Sequence, residues 1–298
     1  MTSPRPAAER LKYIAAVVLY GTIGTFLRYI SLPSEAVAMC RGAIGALCIL
    51  AFQFLRGRRP DGAAIQRNLR LLLASGVLLG LNWIFLFAAY IRTTVAIASL
   101  CNYMAPILVI LAAPAVLRER LDKRKLLCVA AALLGIVLVS GVWSGEGGET
   151  AGVILGLAAA LCFTGIVLCN RKLRDISAYD RSLVQLAVSA VTILPYVLIR
   201  NRGAAISLDA RSVLLVLMLG VVHTGVAYCL YFSGMGSLPV QTVAILGYLE
   251  PVVSVLCSAL FLREPMTVPG WLGAALILAS AAVSEALPLA IERPGSDP

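Results

Sequence analysis

One acidic residue stands in the middle of a long apolar run. Glu250 lies in the segment Gly247-Tyr248-Leu249-Glu250-Pro251, inside a run that extends from about Leu238 to Leu262. At about 1.5 Å of helix per residue, its carboxyl group would lie roughly 18 Å from either end of the run, near the centre of a hydrocarbon layer about 30 Å thick. A charge at that depth costs several kcal/mol unless it is paired, hydrated or protonated. Glu250 is therefore a candidate to bind a proton or a cationic substrate group.

Prolines interrupt the apolar runs near such positions. Pro251 directly follows Glu250, and because proline has no N–H, the carbonyl of Gly247 is left without its helical donor. Pro106 does the same to the carbonyl of Asn102 in an earlier run. The sequence predicts helix breaks or gating points at Pro106, Pro251 and Gly247.

Arg41 is the one basic residue that falls well inside an apolar run. It could form a structural ion pair with Glu250, it could direct its guanidinium outward to the membrane surface, or it could meet a substrate carboxylate. Helical spacing places Ser254, Cys257 and Ser258 on the same face as Glu250. That small, polar face fits a bundle interior or a cavity wall better than lipid.

Further polar and aromatic side chains could complete a binding site, since aromatic faces beside a carboxylate attract an amine through cation–π interactions. For His223, a hydrogen-bonded packing role competes with a site role. Tyr13, Tyr20, Tyr29 and Tyr90 lie near the ends of runs, where anchoring at the membrane interface is the simpler interpretation. The substrate-binding candidates are Glu250, Tyr248, Trp83, Asn82, Tyr103, Asn102, Arg41, Tyr228 and His223, with Glu250 also the candidate for proton coupling.

The elements that must position these residues are membrane spans. The chain is 60% hydrophobic and 13% charged, with mean hydropathy +0.92, and a soluble domain would carry about twice that charged fraction. The net charge of +10 comes from basic residues in short loops, which is typical of topology signals and not of nucleic-acid binding. Runs of about 17–25 apolar residues predict ten spans, at 11–29, 35–55, 69–90, 94–117, 124–142, 150–170, 178–199, 211–232, 238–262 and 267–288.

Orientation follows from the basic residues. With the N-terminus inside, eighteen Lys and Arg residues fall in inner segments and six in outer segments. Because basic residues favour the cytoplasmic side, we expect both termini to be cytoplasmic, in a multi-pass protein of the bacterial inner membrane.

The two halves of the chain repeat each other. A shift of 145 residues places Tyr103 on Tyr248, Pro106 on Pro251, and Leu117-Arg118-Glu119 on Leu262-Arg263-Glu264. A shift of 143 places Arg28 on Arg171. Five spans per half is an odd number, so the second copy must enter the membrane inverted, as in secondary transporters. The expected fold is an all-α polytopic membrane protein. It has a cytoplasmic tail over 1–10, five-helix repeats over 11–142 and 150–288, and a cytoplasmic tail over 289–298.

Ten spans, two five-helix halves and the repeated Tyr-x-x-Pro and Leu-Arg-Glu patterns resemble the drug/metabolite transporter superfamily, specifically its EamA-type permeases. The resemblance extends from about Lys12 to Leu287. It implies a secondary active transporter that exposes one site alternately to each side. Relatives of this kind export amino acids and other metabolites or carry nucleotide sugars, so the resemblance does not choose a substrate.

The expected function is proton-coupled transport, with export favoured, of a small amphipathic metabolite such as an amino acid or organic amine. The alternatives are a lipid or nucleotide-sugar flippase or exchanger of the same fold and an intramembrane enzyme, for which Glu250 and His223 would form a sparse catalytic set. The sequence contains no Walker loop, zinc-type cysteine spacing or catalytic triad, so we expect no metal, no cofactor and no enzymatic activity. The expected partners are a small-molecule substrate, membrane lipids and, as one option, a second copy of the chain, but not nucleic acid.

Overall fold

Every regular element in the described part of the chain is a helix. The computed structural model describes residues 6–117, 123–139, 148–200, 209–235, 238, 243 and 246–286. The elements are α1 Pro6–Leu27, α2 Ser34–Leu55, α3 Gly62–Arg67, α4 Leu69–Arg92, α5 Val95–Asn102, α6 Ala105–Leu117, α7 Lys123–Val139, α8 Gly148–Arg171, α9 Ala178–Arg200, α10 Ala210–Gly220, a π-helical segment Val221–Val226, α11 Ala227–Met235, α12 Leu249–Leu260 and α13 Val268–Ala286.

The protein is a multi-pass membrane protein. Seven helical segments are long and apolar enough to cross a membrane, namely Ala7–Leu27, Ser34–Leu55, Leu69–Arg92, Val95–Ala112, Thr150–Arg171, Ala178–Arg200 and Ala210–Gly234. Three shorter apolar helices, Leu126–Val139, Leu249–Leu260 and Val268–Val283, occupy the places of predicted spans five, nine and ten. The count of ten full spans stays a prediction, because these three helices are too short by themselves. The expected tail 289–298 and the repeated pair Arg118-Glu119 lie outside the described residues.

Contacts between helices are symmetric when the two halves of the chain are exchanged. The third span of each half packs on the first span of the other half: α4 packs on α8, and α11 packs on α1. The second spans pack on each other, α2 on α9, and so do the last spans, α7 on α13. The fourth spans are α5 with α6 in the first half and α12 in the second. Each packs on the first span of the other half, α5 and α6 on α8 and α12 on α1, and α12 also packs on α5. An internal duplication produces this pattern.

Two apolar clusters fill the bundle. One is built mainly from α2, α4 and α9 and contains the buried residues Ile49, Phe87 and Leu186. The other is built mainly from α5, α6, α7, α12 and α13 and contains Leu100 and Ile277. Outward-facing positions carry exposed apolar side chains, as expected for a bundle whose surroundings are hydrocarbon.

Close packing of α1 on α12 depends on Gly21. A Cβ atom at this position would lie 2.5 Å from the backbone oxygen of Glu250 and 2.7 Å from Cβ of Val253. Small residues at such crossings let two membrane helices approach closely. Gly21 therefore sets how near α1 can lie to the start of α12, where Glu250 is.

We expect Gly21→Ala to destabilise the protein, because the new methyl group meets backbone and a β-branched side chain instead of a flexible tip. Overpacking of this kind typically costs about 1–3 kcal/mol. The measurement is the apparent melting temperature of detergent-solubilised protein by size-exclusion chromatography. Gly62→Ala is the matched control, since a Cβ atom there has nothing within 4 Å. Equal melting temperatures for the two variants would contradict the role of Gly21 in the packing of α1 on α12.

Candidate functional site

Two helices are interrupted at the positions of the repeated Tyr-x-x-Pro pattern. α5 ends at Asn102, Tyr103 and Met104 form a turn, and α6 begins at Ala105 with Pro106 in its first turn. α12 begins at Leu249 after a turn at Tyr248, with Pro251 in its first turn. The prolines therefore lie where a missing N–H is tolerated, directly after each interruption.

A cavity of about 320 Å³ lies beside these interruptions. Its walls come from α1, α2, α4, α5, α6, α8, α9, α11 and α12. Most of the residues proposed from the sequence line it: Arg41, Asn82, Trp83, Asn102, Tyr103, Pro106, Tyr228 and Glu250. Residues from both halves of the chain thus meet around one space, which their positions in the sequence do not reveal.

The acidic group of the cavity wall is Glu250. The Tyr103 phenol is within hydrogen-bonding reach of its carboxyl group. Tyr20, Tyr90 and Tyr228 are also close enough to interact electrostatically with it. Among the described residues, the ion pairs within 4.0 Å do not include Glu250 with Arg41, so the structure holds the carboxyl group among phenols and not in a structural salt bridge.

Arg41 is a basic group of the cavity wall and is 5% exposed. Its Nε donates to Oγ1 of Thr224 at 2.8 Å, and its guanidinium carbon lies 4.4 Å from the centroid of the Trp83 ring. The interpretation that Arg41 extends outward to the membrane surface is wrong. The guanidinium is held inside the bundle, where the indole and the threonine oxygen replace water.

Side-chain amides also line the cavity. Asn82 Nδ2 donates to Oδ1 of Asn102 at 3.0 Å and to the carbonyl of Ala159 at 2.8 Å. Gln185 Nε2 donates to Oδ1 of Asn170 at 2.7 Å. The first pair joins α4 to the end of α5, so the Asn82 and Asn102 side chains also stabilise the interruption itself.

Four predicted residues lie elsewhere. In the part of the chain that the structure describes, His223, Tyr248, Gly247 and Pro251 are not in the cavity wall. His223 is 1% exposed, and its Nε2 lies 3.0 Å from Oγ1 of Thr22, which is the packing role that the sequence left open. Tyr248 packs against the second apolar cluster.

Sequence reasoning missed several wall residues. Tyr20 and Tyr90 line the cavity and do not anchor the chain at the interface, and Tyr13 is 2% exposed. Arg181 and Gln185 also line it. The spacing of Arg181, Gln185 and Ser189 by four residues marks one polar face of an otherwise apolar helix, and this signal could have identified that wall.

Comparison with known proteins identifies the fold's family. The model of the EamA-like transporter family matches residues 11–141 and 150–285. The chain belongs to the EamA-like transporter family. Family members are transporters and not enzymes, which confirms that expectation, and transport implies a small-molecule substrate.

Relatives and a solved structure agree with this assignment. An uncharacterized transporter of Bacillus subtilis is 27% identical over 289 residues, 95% of this chain and 91% of its own. A probable amino-acid metabolite efflux pump of Salmonella typhimurium is 30% identical over 174 residues, 55% of this chain and 58% of its own. A crystal structure superposes with a TM-score of 0.64 at 20% identity, covering 93% of this chain and 96% of the other, and so shares the fold.

A polar cluster around Glu264, which we call the Glu264 cluster, lies at one end of this EamA-like bundle. Glu264 Oε1 lies 2.7 Å from Nη2 of Arg28, and Oε2 accepts from the backbone N–H of Val95 at 2.8 Å and from the Ser258 hydroxyl at 2.6 Å. Arg28 also donates to the carbonyl of Thr93 at 2.8 Å. One carboxylate therefore joins α1, the start of α5 and the end of α12.

The backbone turns sharply to place this carboxylate. Arg263 has φ of 52°, a left-handed conformation that non-glycine residues rarely adopt. The N–H of Glu264 then bonds back to the carbonyl of Ser258 at 3.2 Å. The Leu262-Arg263-Glu264 pattern thus ends α12 and returns its acid towards the helix end.

The cavity extends towards the opposite end of the bundle. Asn68, at the start of α4, exchanges two hydrogen bonds with the backbone of Arg174, at 2.8 and 3.0 Å, so the α8–α9 turn lies far from Thr93, which follows the end of α4. The wall residues Asn170 and Arg181 flank that turn. On the other side, hydrogen bonds of Ser99 with Ser254 at 2.7 Å and with Tyr90 at 3.3 Å separate Glu250 from the Glu264 cluster.

If the Glu264 cluster closes the cavity at this end, we expect Glu264→Gln to loosen it, because the change removes the charge pair with Arg28, and hydrogen bonds to charged groups contribute about 1.5–3 kcal/mol. The measurement uses protein in which Cys257, buried between Glu250 and the cluster, is the single cysteine. Labelling by a membrane-impermeant maleimide from the Arg28 side should become several-fold faster. Arg92→Gln, an exposed change at the same end, is the control, and equal labelling of both variants would show that the cluster does not close the cavity.

Proposed function

We propose that this EamA-like transporter is a secondary active carrier of the bacterial inner membrane that exports a small amphipathic metabolite, an amino acid or organic amine, in exchange for protons. The observation that carries the proposal is an acid, Glu250, in an aromatic-walled cavity beside two interrupted helices. Export agrees with the relatives named as probable amino-acid metabolite efflux pumps.

The size of the cavity favours a small substrate. Its volume of about 320 Å³ lies at the low end of the range for small-molecule sites, roughly 300–1,000 Å³. An amino acid or a short amine fits such a space better than a nucleotide sugar or a two-chain lipid. The flippase-type alternative therefore has less support than metabolite transport.

Alternating access is supported by the exchange symmetry of the helix contacts. Two halves of the same shape can seal the site at one end or, after rocking, at the other. In the described structure the contacts of the Glu264 cluster join three helices at the Arg28 end, which supports assigning this end as the closed one. By the distribution of basic residues that end faces outward, so the cavity would reach the cytoplasm near the α8–α9 turn. Both termini would then be cytoplasmic.

Proton coupling follows if proton and substrate compete for Glu250. A carboxylate can hold a substrate ammonium only when it is ionised, and its neutral form gives up that attraction. The groups near it are the guanidinium of Arg41 and four phenols, those of Tyr20, Tyr90, Tyr103 and Tyr228. Protonation from the outer side would release the ammonium, and deprotonation inside would allow the next molecule to bind.

We expect Glu250→Gln to reduce proton-driven transport by tenfold or more and to remove the dependence of binding on pH. In the unchanged protein, binding of an amine or amino acid should weaken as pH falls, because the carboxylate becomes neutral. The measurement is uptake into inside-out proteoliposomes with an imposed pH gradient, with radiolabelled L-amino acids and their decarboxylated amines as probes.

Glu35→Gln is the control for Glu250→Gln. Glu35 is another buried carboxylate, paired with Arg200 at 3.3 Å and remote from the cavity. At equal folded amounts this variant should keep both the gradient response and the pH dependence. Transport by Glu250→Gln at the unchanged rate and with unchanged pH dependence would exclude the coupling role.

We expect Pro106→Ala and Pro251→Ala to slow transport several-fold while leaving substrate binding intact, because an added N–H can bond across each interruption and stiffen it. Transport and equilibrium binding are measured on the same protein. Pro195→Ala is the control, since Pro195 lies inside the long helix α9. Unchanged transport in both variants would remove these prolines from the gating mechanism.

A further inference from the structure

The cavity contains opposite charges that do not neutralise each other directly. Arg41 and Glu250 both line it and are close enough to interact electrostatically. The ion pairs within 4.0 Å among the described residues do not join them. Each charge has neutral partners instead, Thr224 and Trp83 for Arg41 and Tyr103 for Glu250. Such a cavity complements a ligand that carries both charges.

The guanidinium of Arg41 is fixed in orientation by two contacts. Its face lies over Trp83, 4.4 Å from the ring centroid, and its Nε–H is directed to Thr224. In the described part of the chain, the hydrogen bond recorded for this group uses Nε alone. An arginine has five N–H donors in a planar fork, so the edge formed by its two terminal nitrogens is the part left to meet a ligand in the cavity.

Thr224 can only accept a hydrogen bond from Arg41, because its own hydroxyl hydrogen is already used. Its hydroxyl donates to the carbonyl of Leu219, five residues earlier, at 2.9 Å. A hydroxyl has one hydrogen and two lone pairs, so the lone pairs face the Nε–H of Arg41. The π-helical segment Val221–Val226 creates this geometry, and single π-helical turns are frequent at functional sites.

Close packing holds Thr224 and Trp83, the two partners that orient the guanidinium. Thr224 is 0% exposed. A Cβ atom at Gly45, one turn after Arg41, would lie 2.4 Å from Cγ2 of Thr224, so α2 and the π-helical segment are in direct contact at this level. A Cβ atom at Gly42 would lie 3.3 Å from the Trp83 ring. The arginine is therefore organised before any ligand binds.

We propose that Arg41, oriented by Thr224 and Trp83, is the carboxylate receptor that determines substrate specificity in this transporter. A preorganised guanidinium edge matches the two oxygens of a carboxylate in a bidentate arrangement. The inference rests on the proposed function and chooses between its two substrate classes. The substrate is a zwitterion whose carboxylate binds Arg41 and whose ammonium binds Glu250, and a simple amine satisfies only half of the site.

Aromatic side chains near both charges line the wall that the rest of the substrate would contact. Tyr20 and Tyr228 lie 5.8 Å apart between ring centroids, and both interact electrostatically with Arg41 and Glu250. Tyr231 lies 6.0 Å from Tyr20. An apolar or aromatic amino-acid side chain fits this wall.

The test compares each L-amino acid with its decarboxylated amine on the purified full-length protein. Thermal stabilisation and microscale thermophoresis give the dissociation constants, and L-phenylalanine, phenethylamine and 3-phenylpropanoate form one matched set that carries both charges, the ammonium alone or the carboxylate alone. We expect at least one amino acid to bind tenfold or more tightly than its amine, a difference of about 1.4 kcal/mol. If amines bind as tightly as amino acids, Arg41 is not a carboxylate receptor, but the proposed transport function is not contradicted. If neither class binds, both proposals are contradicted.

Two substitutions test whether the difference in affinity between an amino acid and its amine depends on Arg41 and Thr224. Arg41→Lys keeps the charge but loses the fork, so the ratio of amino-acid affinity to amine affinity, which measures the preference for the amino acid, should fall tenfold. Thr224→Val removes the orienting hydroxyl with little change in shape and should lower the same preference several-fold. A preference unchanged in both variants would overturn the proposal.

Two further variants distinguish loss of the hydrogen bond that orients Arg41 from a general loss of stability. Thr224→Ser retains the hydroxyl and should keep the preference, even if its melting temperature changes. Thr192→Val removes another membrane threonine hydroxyl, one that donates to the carbonyl of Val188 at 2.8 Å, and should leave the preference unchanged. Loss of the preference in Thr192→Val would show that it reports stability and not recognition, and so would contradict the role of Thr224.

Discussion

A hydrocarbon layer offers no water to solvate a carboxyl group or an unpaired backbone carbonyl, and this constraint explains the organisation of the bundle interior. Glu250 is surrounded by phenols, Arg41 by an indole and a threonine oxygen, and Asn82 by amide and carbonyl acceptors. Each polar group reaches its partner across a helix boundary. The helices are therefore held in register by the same groups that form the cavity.

The scaffold is symmetric and its chemistry is not. Both halves interrupt their fourth span at the tyrosine of a Tyr-x-x-Pro pattern, and the contacts between helices repeat when the halves are exchanged. The position of Glu250 in one half is occupied by Ala105 in the other. Likewise Arg41 comes from the first half only, while Thr224, which orients it, comes from the second. In the proposed mechanism the shared shape permits rocking, and the unshared residues provide recognition.

The Glu264 cluster connects the site to the membrane surface. One turn of α12 after Glu250 lies Ser254, one further turn brings Ser258, and the helix then ends at the turn that places Glu264. Because the same helix carries both the acid of the cavity and the contacts that close one end, a movement of α12 would change the two together. The repeat places Glu119 and Arg171 in the corresponding positions of the other half.

The sequence alone determined the class of this protein, because long apolar runs separated by short basic loops are one-dimensional patterns that the membrane imposes. The two related halves and the acid at mid-span can also be read directly along the chain. The sequence also indicated Glu250, Trp83, Asn82, Tyr103 and Arg41, since polar residues in apolar runs stand out. Only the tertiary structure decided that Arg41 points inward to Thr224 and not to the surface, that His223 is a packing residue, and that Tyr20 and Tyr90 line the cavity. The reason is physical: the depth of a residue in the membrane follows from its place along a helix, but its partners depend on which faces of different helices meet.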